Sequence, residues 1–106
     1  MFCAPSDDGY VTVVDGVLRK TLCAGDRTLL TEFRLQAGSA LPVHEHVYEQ
    51  SGYLVTGHLL LTIGGERHDV RPGAGWTIPG GVEHGAEVLA DSVAVEVFSP
   101  PRSDYL

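Results

Sequence analysis

Residues 42–57 read PVHEHVYEQSGYLVTG, with two histidines one residue apart and a glutamine four residues after the second. Alternate side chains of a β-strand project to the same face, so His44, His46 and Gln50 lie together if this stretch is extended. Histidine is the commonest metal ligand in proteins, and an amide oxygen is a less common companion. The stretch is therefore either a metal site or a solvated strand that carries polar residues.

The size and charge of the chain limit the classes of function. Its 106 residues are enough for one domain with a modest core. Fourteen acidic residues against seven scattered basic ones give a formal net charge of −7. Phosphate backbones and anionic membrane surfaces bind clustered Lys and Arg, so we expect no nucleic-acid partner and no membrane partner.

Three features bear on the compartment. No apolar run approaches the roughly 20 residues of a transmembrane helix, and the start MFCAPSDDGY lacks the charged and apolar regions of a secretory signal. The two cysteines, Cys3 and Cys23, are too few for a disulfide framework. We expect a cytoplasmic protein.

Short runs rich in Val, Leu, Thr and Ile, separated by Gly and Pro, fill the chain. This pattern is typical of the antiparallel strands of a sandwich or barrel. We expect a hairpin turn at Gly64–Gly65 and a second hairpin at the RPGAG segment of residues 71–75. The sequence predicts a single all-β domain without internal repeats or linkers.

A fourth candidate ligand, His84, follows thirty-four residues after Gln50 and comes after a tight turn at 79–81. The intervening chain is long enough for two hairpins to bring His84 beside the first three candidates. Imidazole suits zinc, iron and nickel, while an amide oxygen favours harder ions, so we expect one divalent transition metal ion (Ni, Zn, Fe, Mn or Co). Because no carboxylate is in this set, the site would favour anionic substrates.

Glu49 is the alternative to Gln50, because a carboxylate binds cations better than an amide does. Strand alternation places Glu49 on the opposite face from His44 and His46, which favours Gln50. A β-bulge between Val47 and Tyr48 would reverse that choice.

Glycines and a proline surround the candidate ligands at regular spacings. The first motif is Gly38, five residues, His44, one residue, His46, three residues, Gln50, six residues, Gly57. The second is Gly73, five residues, Pro79, one residue, Gly81, two residues, His84. The two motifs resemble those of the cupins, although cupins usually have glutamate where Gln50 stands and often asparagine where Val88 stands. The resemblance implies a cupin jelly-roll β-barrel over about residues 28–99, with N-terminal strands in residues 10–23 and a tail at 100–106.

Within this broad family, HEHVYEQSGYLVTG and the tail VEVFSPPRSDYL are similar to the KdgF-type cupins of pectin and alginate breakdown. That resemblance implies opening of a 4,5-unsaturated uronate ring to a linear keto acid. It also implies a metal held by His44, His46, Gln50 and His84. An acidic residue, a phenylalanine and an arginine near the last strand are implied to act on the substrate, and they correspond to Glu96, Phe98 and Arg102. The family commonly has aspartate at the first of these positions, so Glu96 is the longer side chain.

Strand alternation in SVAVEVFS places Ala94, Glu96 and Phe98 on one face of the last strand. If that face lines the barrel, Glu96 is suited to proton transfer, Phe98 forms an apolar wall and Arg102 can pair with a substrate carboxylate. If it faces water, Glu96 is a surface residue and Arg102 is a tail charge. We assign Trp76 to core packing rather than to the pocket.

Two other functions stay open for a cupin with these residues, because the fold does not decide the function. One is a different metal-dependent enzyme of small-molecule metabolism, such as an oxygenase or an isomerase. The other is a non-catalytic cupin that binds a metal or a small ligand. In each case the expected partner is a small molecule, and we also expect a homodimer, because short barrels with exposed edge strands often pair with a copy of themselves.

Overall fold

The computed structural model describes residues 1–106, and most of the chain is β-strand. The strands are β1 (Val11–Val14), β2 (Val17–Ala24), β3 (Leu29–Leu35), β4 (Ala40–His44), β5 (Glu49–Ile63), β6 (Glu66–Val70), β7 (Gly75–Ile78) and β8 (His84–Ser99), followed by one 3₁₀ turn, Ser103–Tyr105. The predicted all-β fold is confirmed. No helical segment has the length and apolar character needed to cross a membrane.

Two long strands, β5 and β8, organise the sheet by pairing antiparallel along their whole lengths. The strands β3 and β4 pair with successive parts of β8, while β7 and β6 pair with successive parts of β5. The strands β1 and β2 extend the sheet beyond β3. Every pairing is antiparallel, as the spacing of the short apolar runs predicts.

The strand β8 curls around the interior of the protein. His84 and Phe98 are fourteen residues apart in β8, which would separate them by about 46 Å in a straight strand. Their ring centroids nevertheless lie only 4.9 Å and 5.9 Å from the ring centroid of His46. The two ends of β8 therefore face each other across one end of the barrel, and the candidate ligands lie between them.

Register shifts in the β5–β8 pairing mark the point where the two strands bend, around Gly57. Gly57 has a positive φ of 101°, and a Cβ added there would lie 2.0 Å from Ser92 Oγ and 2.5 Å from Ser92 Cα. Ser92 Cα belongs to backbone that is paired with β3, so it cannot shift away from an added Cβ. A glycine is required at this bend both for its backbone conformation and for the close approach of β8.

We predict that Gly57→Ala lowers the free energy of unfolding by about 2–6 kcal/mol, the sum of the backbone strain and the overpacking. The matched control is Gly38→Ala, because Gly38 also has a positive φ, 86°, but has no atom within 4 Å of the added Cβ. Urea unfolding of both variants separates the clash from the strain. Equal destabilisation of the two variants would contradict the close approach at Ser92.

The barrel interior is filled by residues that alternate along the strands. In β3 and in the second half of β8, every other residue is buried. The twelve buried residues of the core are Val17, Leu29, Phe33, Leu35, Leu54, Leu59, Leu61, Val70, Ala86, Val88, Ala94 and Phe98. Of the six buried polar residues, three line one cavity: Gln50, His84 and Glu96. Buried polar groups require partners, so they mark the end of the barrel where a site is built.

Of the two predicted hairpins, only the first is present. Gly64–Gly65 joins β5 to β6 with Ile63 opposite Glu66, and both glycines have positive φ values (55° and 85°) that suit a two-residue turn. The prediction of a hairpin at residues 71–75 is wrong, because β6 and β7 do not pair with each other. The chain turns there, with the N–H of Ala74 donating to the carbonyl of Arg71 (3.0 Å), and then continues along β5.

Candidate metal centre and active site

Three histidines meet at one end of the barrel from three different segments. His44 ends β4 and His84 begins β8, and the two are direct partners in the β4–β8 pairing. The ring centroid of His46 lies 4.9 Å from that of His84 and 5.7 Å from that of His44. One ring nitrogen from each histidine lies within 4.8 Å of the others. The structure therefore brings together the three imidazoles that the sequence singled out.

The segment that carries His46 differs from the extended strand considered for residues 42–57. The strand β4 ends at His44 and β5 begins at Glu49, so His46 lies in the connecting loop. The N–H of Gly81, in the turn before His84, donates to the carbonyl of His46 (2.8 Å). This backbone contact, rather than strand alternation, holds His46 beside the other two histidines.

The same ring atom of each histidine is held by a backbone carbonyl. The Nδ1 contacts are His44 with Pro42 (2.8 Å), His46 with Tyr48 (3.0 Å) and His84 with Val82 (2.9 Å). A carbonyl oxygen can only accept a hydrogen bond, so each Nδ1 must carry the hydrogen. The Nε2 atom of each neutral ring is then left with an unshared lone pair. Three such lone pairs form a donor set for a cation, with the ring orientations fixed by the backbone.

The side chain of Gln50 completes the set and is buried. Its Nε2 donates to Glu96 Oε1 (2.5 Å), so its Oε1 faces His46 Nε2 at 3.0 Å. Both facing atoms are acceptors when His46 is neutral, and a cation that binds both would relieve their repulsion. The alternative ligand, Glu49, has an exposed side chain and takes no part in these contacts.

His84 Nε2 is the one fully buried side-chain nitrogen or oxygen of the protein that has no hydrogen-bond partner. Leaving such an atom unpaired costs about 1–3 kcal/mol, so it marks a place for a group that the chain does not supply. Burial lowers the pKa of both His46 and His84, because it disfavours the charged rings. Neutral imidazole is the form that binds metals. The residues present therefore fit a divalent transition metal ion.

Next to this donor set lies the buried carboxyl group of Glu96. Its Oε1 accepts hydrogen bonds from Gln50 Nε2 and from Trp76 Nε1, the latter at 3.2 Å, while its Oε2 has no hydrogen-bond partner in the protein. Burial raises the pKa of Glu96 and outweighs the two N–H donors and the charge of Arg102, which act in the opposite direction. A carboxyl group with one oxygen held and the other free is arranged to exchange a proton with a ligand.

The indole of Trp76 is fixed by a close approach of β7 to β5. Gly52 lies opposite Trp76 in the β5–β7 pairing, and a Cβ on Gly52 would lie 2.2 Å from Cε2 of the indole. The assignment of Trp76 to core packing is incomplete, because the side chain also lines the cavity and bonds Glu96. The isolated glycine within this strand is a sequence signal that could have indicated the close approach.

The C-terminal segment folds back over the same end of the barrel. The side chain of Arg102 is only 14% exposed, and its guanidinium carbon lies 3.9 Å from the ring centroid of Tyr105. Arg102 and Phe98 both line the cavity, and their side chains stack at 5.1 Å. Arg102 is therefore not the solvated tail charge that the alternative interpretation allowed, and Glu96 is not a surface residue.

A cavity of about 400 Å³ joins these groups. Its polar wall contains His44, Gln50, His84, Glu96, Arg102 and Asp104. Arg102 is the only Lys or Arg that lines it, and thirteen of the twenty-one lining residues are hydrophobic. The cavity can therefore bind a small molecule that has an anionic oxygen-rich part and an apolar surface.

Comparison with known proteins decides the family. The family described as Cupin domain matches residues 31–99, which is more than half of the chain. The chain is a cupin. This agrees with the two glycine-spaced motifs of the sequence and with the barrel that carries them.

Among curated proteins, this cupin is similar to the pectin degradation protein KdgF of Dickeya dadantii (strain 3937). The two are 28% identical over 94 residues, which cover 87% of this chain and 86% of that protein. Among solved structures, KdgF from Halomonas sp. has a TM-score of 0.93 and 28% identity, over 100% of this chain and 98% of that one. The polyketide cyclase RemF from Streptomyces resistomycificus has a TM-score of 0.81 and 25% identity, over 97% and 82% of the chains.

The sequence interpretation did not place three residues of this cupin's site there: Trp76, which it assigned to the core, and Asp104 and Tyr105, which it did not consider. Each lines the cavity. The last two belong to the 3₁₀ turn, a part of the chain with no strand periodicity that would indicate which side chains face inward. A tail with Pro100 and Pro101 followed by polar residues gives no signal that it returns to the barrel.

Proposed function

We propose that this cupin is a metal-dependent enzyme that opens the ring of a 4,5-unsaturated uronate to give a linear keto acid. One observation carries the proposal: the buried carboxyl of Glu96 is bonded to Gln50, whose amide oxygen also contacts His46. A cation site and a proton-transfer group are thus joined by one side chain, in a cavity whose only basic Lys or Arg side chain is Arg102. The similarity to two KdgF proteins supports this choice of substrate.

In the proposed binding step, Arg102 pairs with the uronate carboxylate through two N–H groups. Phe98, which is 1% exposed, provides an apolar wall against one face of the sugar ring and keeps water away from it. A divalent metal ion held by His44, His46, Gln50 and His84 would supply positive charge that polarises substrate oxygens. These contacts fix the ring for reaction.

The proposed proton transfer assigns both proton movements to Glu96. Its free Oε2 accepts the proton of the anomeric hydroxyl, the C1–O5 bond breaks, and C1 becomes an aldehyde. The electron pair of that bond stays on O5, which gives an enolate across C4, C5 and O5. Glu96 then returns the proton to C4, and C5 becomes a ketone. The proton removed equals the proton added, so the reaction is an isomerisation that needs no oxidant or reductant.

The test is an assay of the whole protein with one metal at a time. We expect the protein loaded with Ni, Zn, Fe, Mn or Co to accelerate the loss of ultraviolet absorbance from the conjugated double bond of the uronate. In D₂O, proton NMR should show one deuterium at C4 of the product. A rate equal to that of the protein-free control with every metal would reject the proposed function.

A second function, a metal-dependent enzyme acting on a more apolar oxygenated molecule, is favoured by the mainly hydrophobic cavity wall. The similarity to the polyketide cyclase RemF points in the same direction. Trp76 is the only tryptophan of the chain and lines the cavity, so its fluorescence reports ligand binding. Tighter binding of salicylate than of galacturonate would favour this second function over the first.

Two further expectations from the sequence, the homodimer and the cytoplasmic location, stay predictions. The exposed side chains of Tyr53 and Val55 on β5 leave an apolar surface for such an association, and light scattering measures it.

A further inference from the structure

Asp104 has no role in the reaction proposed above, yet it binds the guanidinium of Arg102 through both carboxylate oxygens. Arg102 Nε donates to Oδ1 at 3.2 Å and Arg102 Nη2 donates to Oδ2 at 2.8 Å. The Asp104 side chain is 54% exposed, while that of Arg102 is 14% exposed. The pair therefore joins a half-exposed carboxylate to a mostly covered guanidinium, and both line the cavity.

The turn that carries Asp104 is fixed to β2 by contacts with Thr21 and Arg19. Thr21 Oγ1 donates to the carbonyl of Tyr105 (2.6 Å), and Arg19 Nη2 donates to the carbonyl of Asp104 (3.4 Å). The guanidinium carbons of Arg19 and Arg102 each lie 3.9 Å from the centroid of the Tyr105 ring. Two cations at that distance cannot share one face of the ring, so the ring lies between them.

The pair with Asp104 uses only one edge of the Arg102 guanidinium. A guanidinium has five N–H groups. Asp104 accepts hydrogen bonds from the single N–H of Nε and from one of the two N–H groups of Nη2. The Nη1 atom makes no hydrogen bond in the protein. It is not fully buried either, because His84 Nε2 is the one fully buried side-chain nitrogen or oxygen without a partner. The Nη1–Nη2 edge is therefore open to a second carboxylate.

We propose that Asp104 is a positioning residue that holds Arg102 by its Nε–Nη2 edge and leaves the Nη1–Nη2 edge directed to the carboxylate of a bound anion. This inference rests on the proposed function for the identity of the anion, a uronate. Tyr105 and Phe98 stack against the same guanidinium and keep it from rotating away. The C-terminal turn thus orders the carboxylate-binding group before the ligand arrives, which lowers the entropy lost on binding.

Two other roles of Asp104 give different expectations for anion binding. If the pair with Arg102 were only a surface ion pair, its loss would change stability slightly and leave anion binding unchanged. If Asp104 occupied the place of the substrate carboxylate and had to leave, its removal would strengthen anion binding. The positioning role predicts weaker anion binding.

The experiment measures binding by calorimetry with the whole metal-loaded protein. The probes are galacturonate, a uronate without the C4=C5 double bond, and galactose, which lacks the carboxylate. We expect Asp104→Asn to weaken galacturonate binding roughly tenfold, as loss of a hydrogen bond to a charged group does, and to leave galactose binding unchanged. Asp104→Glu should recover part of the loss. In an Arg102→Lys background, where no bidentate edge exists, Asp104→Asn should have no further effect.

The matched control is Asp69→Asn. Asp69 Oδ2 accepts from Arg71 Nε at 3.0 Å with the same two-residue separation, but neither residue lines the cavity. We expect galacturonate binding by this variant to equal that of the unaltered protein.

Each outcome decides a different point. A preference for galacturonate over galactose that survives Asp104→Asn overturns the positioning role alone. No preference in the unaltered protein overturns the positioning role and the proposed substrate together. Loss of the preference in Asp104→Asn, in a protein that turns over no unsaturated uronate, supports the positioning role and rejects the proposed reaction.

Discussion

Glu96→Gln should lower the kcat of the proposed uronate ring opening by about 10²- to 10⁴-fold, the usual contribution of a positioned proton-transfer group. The substitution preserves the size of the side chain. The amide oxygen of glutamine can still accept the hydrogen bonds from Gln50 Nε2 and Trp76 Nε1 that Glu96 Oε1 accepts. What it removes is the free Oε2, the atom assigned to proton transfer. We therefore expect unchanged metal content and an unchanged melting temperature, with the loss confined to turnover.

The matched control for this substitution lies on the same strand. Glu87, also on β8, has a side chain that is 62% exposed and does not line the cavity. Glu87→Gln should keep the turnover of the unaltered protein within about twofold, since surface substitutions have small effects. If Glu96→Gln kept a similar rate while binding metal normally, Glu96 would not be the proton-transfer group, and the second function would gain support.

The sequence predicted most of the fold because the fold depends on local patterns. Alternating burial in β3 and β8, and the Gly64–Gly65 turn, follow from strand geometry and from the backbone freedom of glycine. The error at residues 71–75 has a physical reason. A turn sequence determines that the chain changes direction but not which strand the next segment pairs with, and β7 pairs with β5 through contacts far apart in sequence.

The candidate site was predicted in part for a related reason. His44, His46 and His84 were identified from their spacing, and the structure brings them together. The sequence analysis placed His46 beside His44 by assuming that both lie on one extended strand. In the structure His46 lies in a loop, and a hydrogen bond from Gly81 holds that loop in place. The spacing of the motifs indicates which residues form the site. The path of the backbone between those residues depends on contacts with distant segments, which the spacing does not show.

Residues that act through another side chain were the hardest to predict. Trp76 orients Glu96 through a single N–H, and Asp104 holds Arg102 from a turn without strand periodicity. The Trp76 contact joins two different strands, β7 and β8. The Asp104 contact is local, but its place beside the cavity depends on the return of the chain after Ser99. Positioning residues of this kind become visible only when distances between segments are known.

His84→Ala should weaken binding of a divalent transition metal by more than about a hundredfold, the upper range for losing a partner that merely orients a ligand. His84 Nε2 is buried and has no partner in the protein, and one ring nitrogen of His84 lies within 4.8 Å of a ring nitrogen of each of the other two histidines. In the unaltered protein, bound metal should raise the melting temperature, because an ion that binds only the folded state stabilises it. The variant should lose most of that increase and should retain little metal after dialysis, as measured by mass spectrometry.

The matched control is His68→Ala, since the side chain of His68 is 47% exposed and does not line the cavity. It should bind metal like the unaltered protein. A second comparison tests the amide ligand: Glu49→Gln should leave metal content unchanged, whereas Gln50→Ala should reduce it. If His84→Ala kept full metal content and the full increase in melting temperature, no ion would lie among the three imidazoles. The unpaired nitrogen of His84 would then have to be explained by a bound water or by the substrate itself.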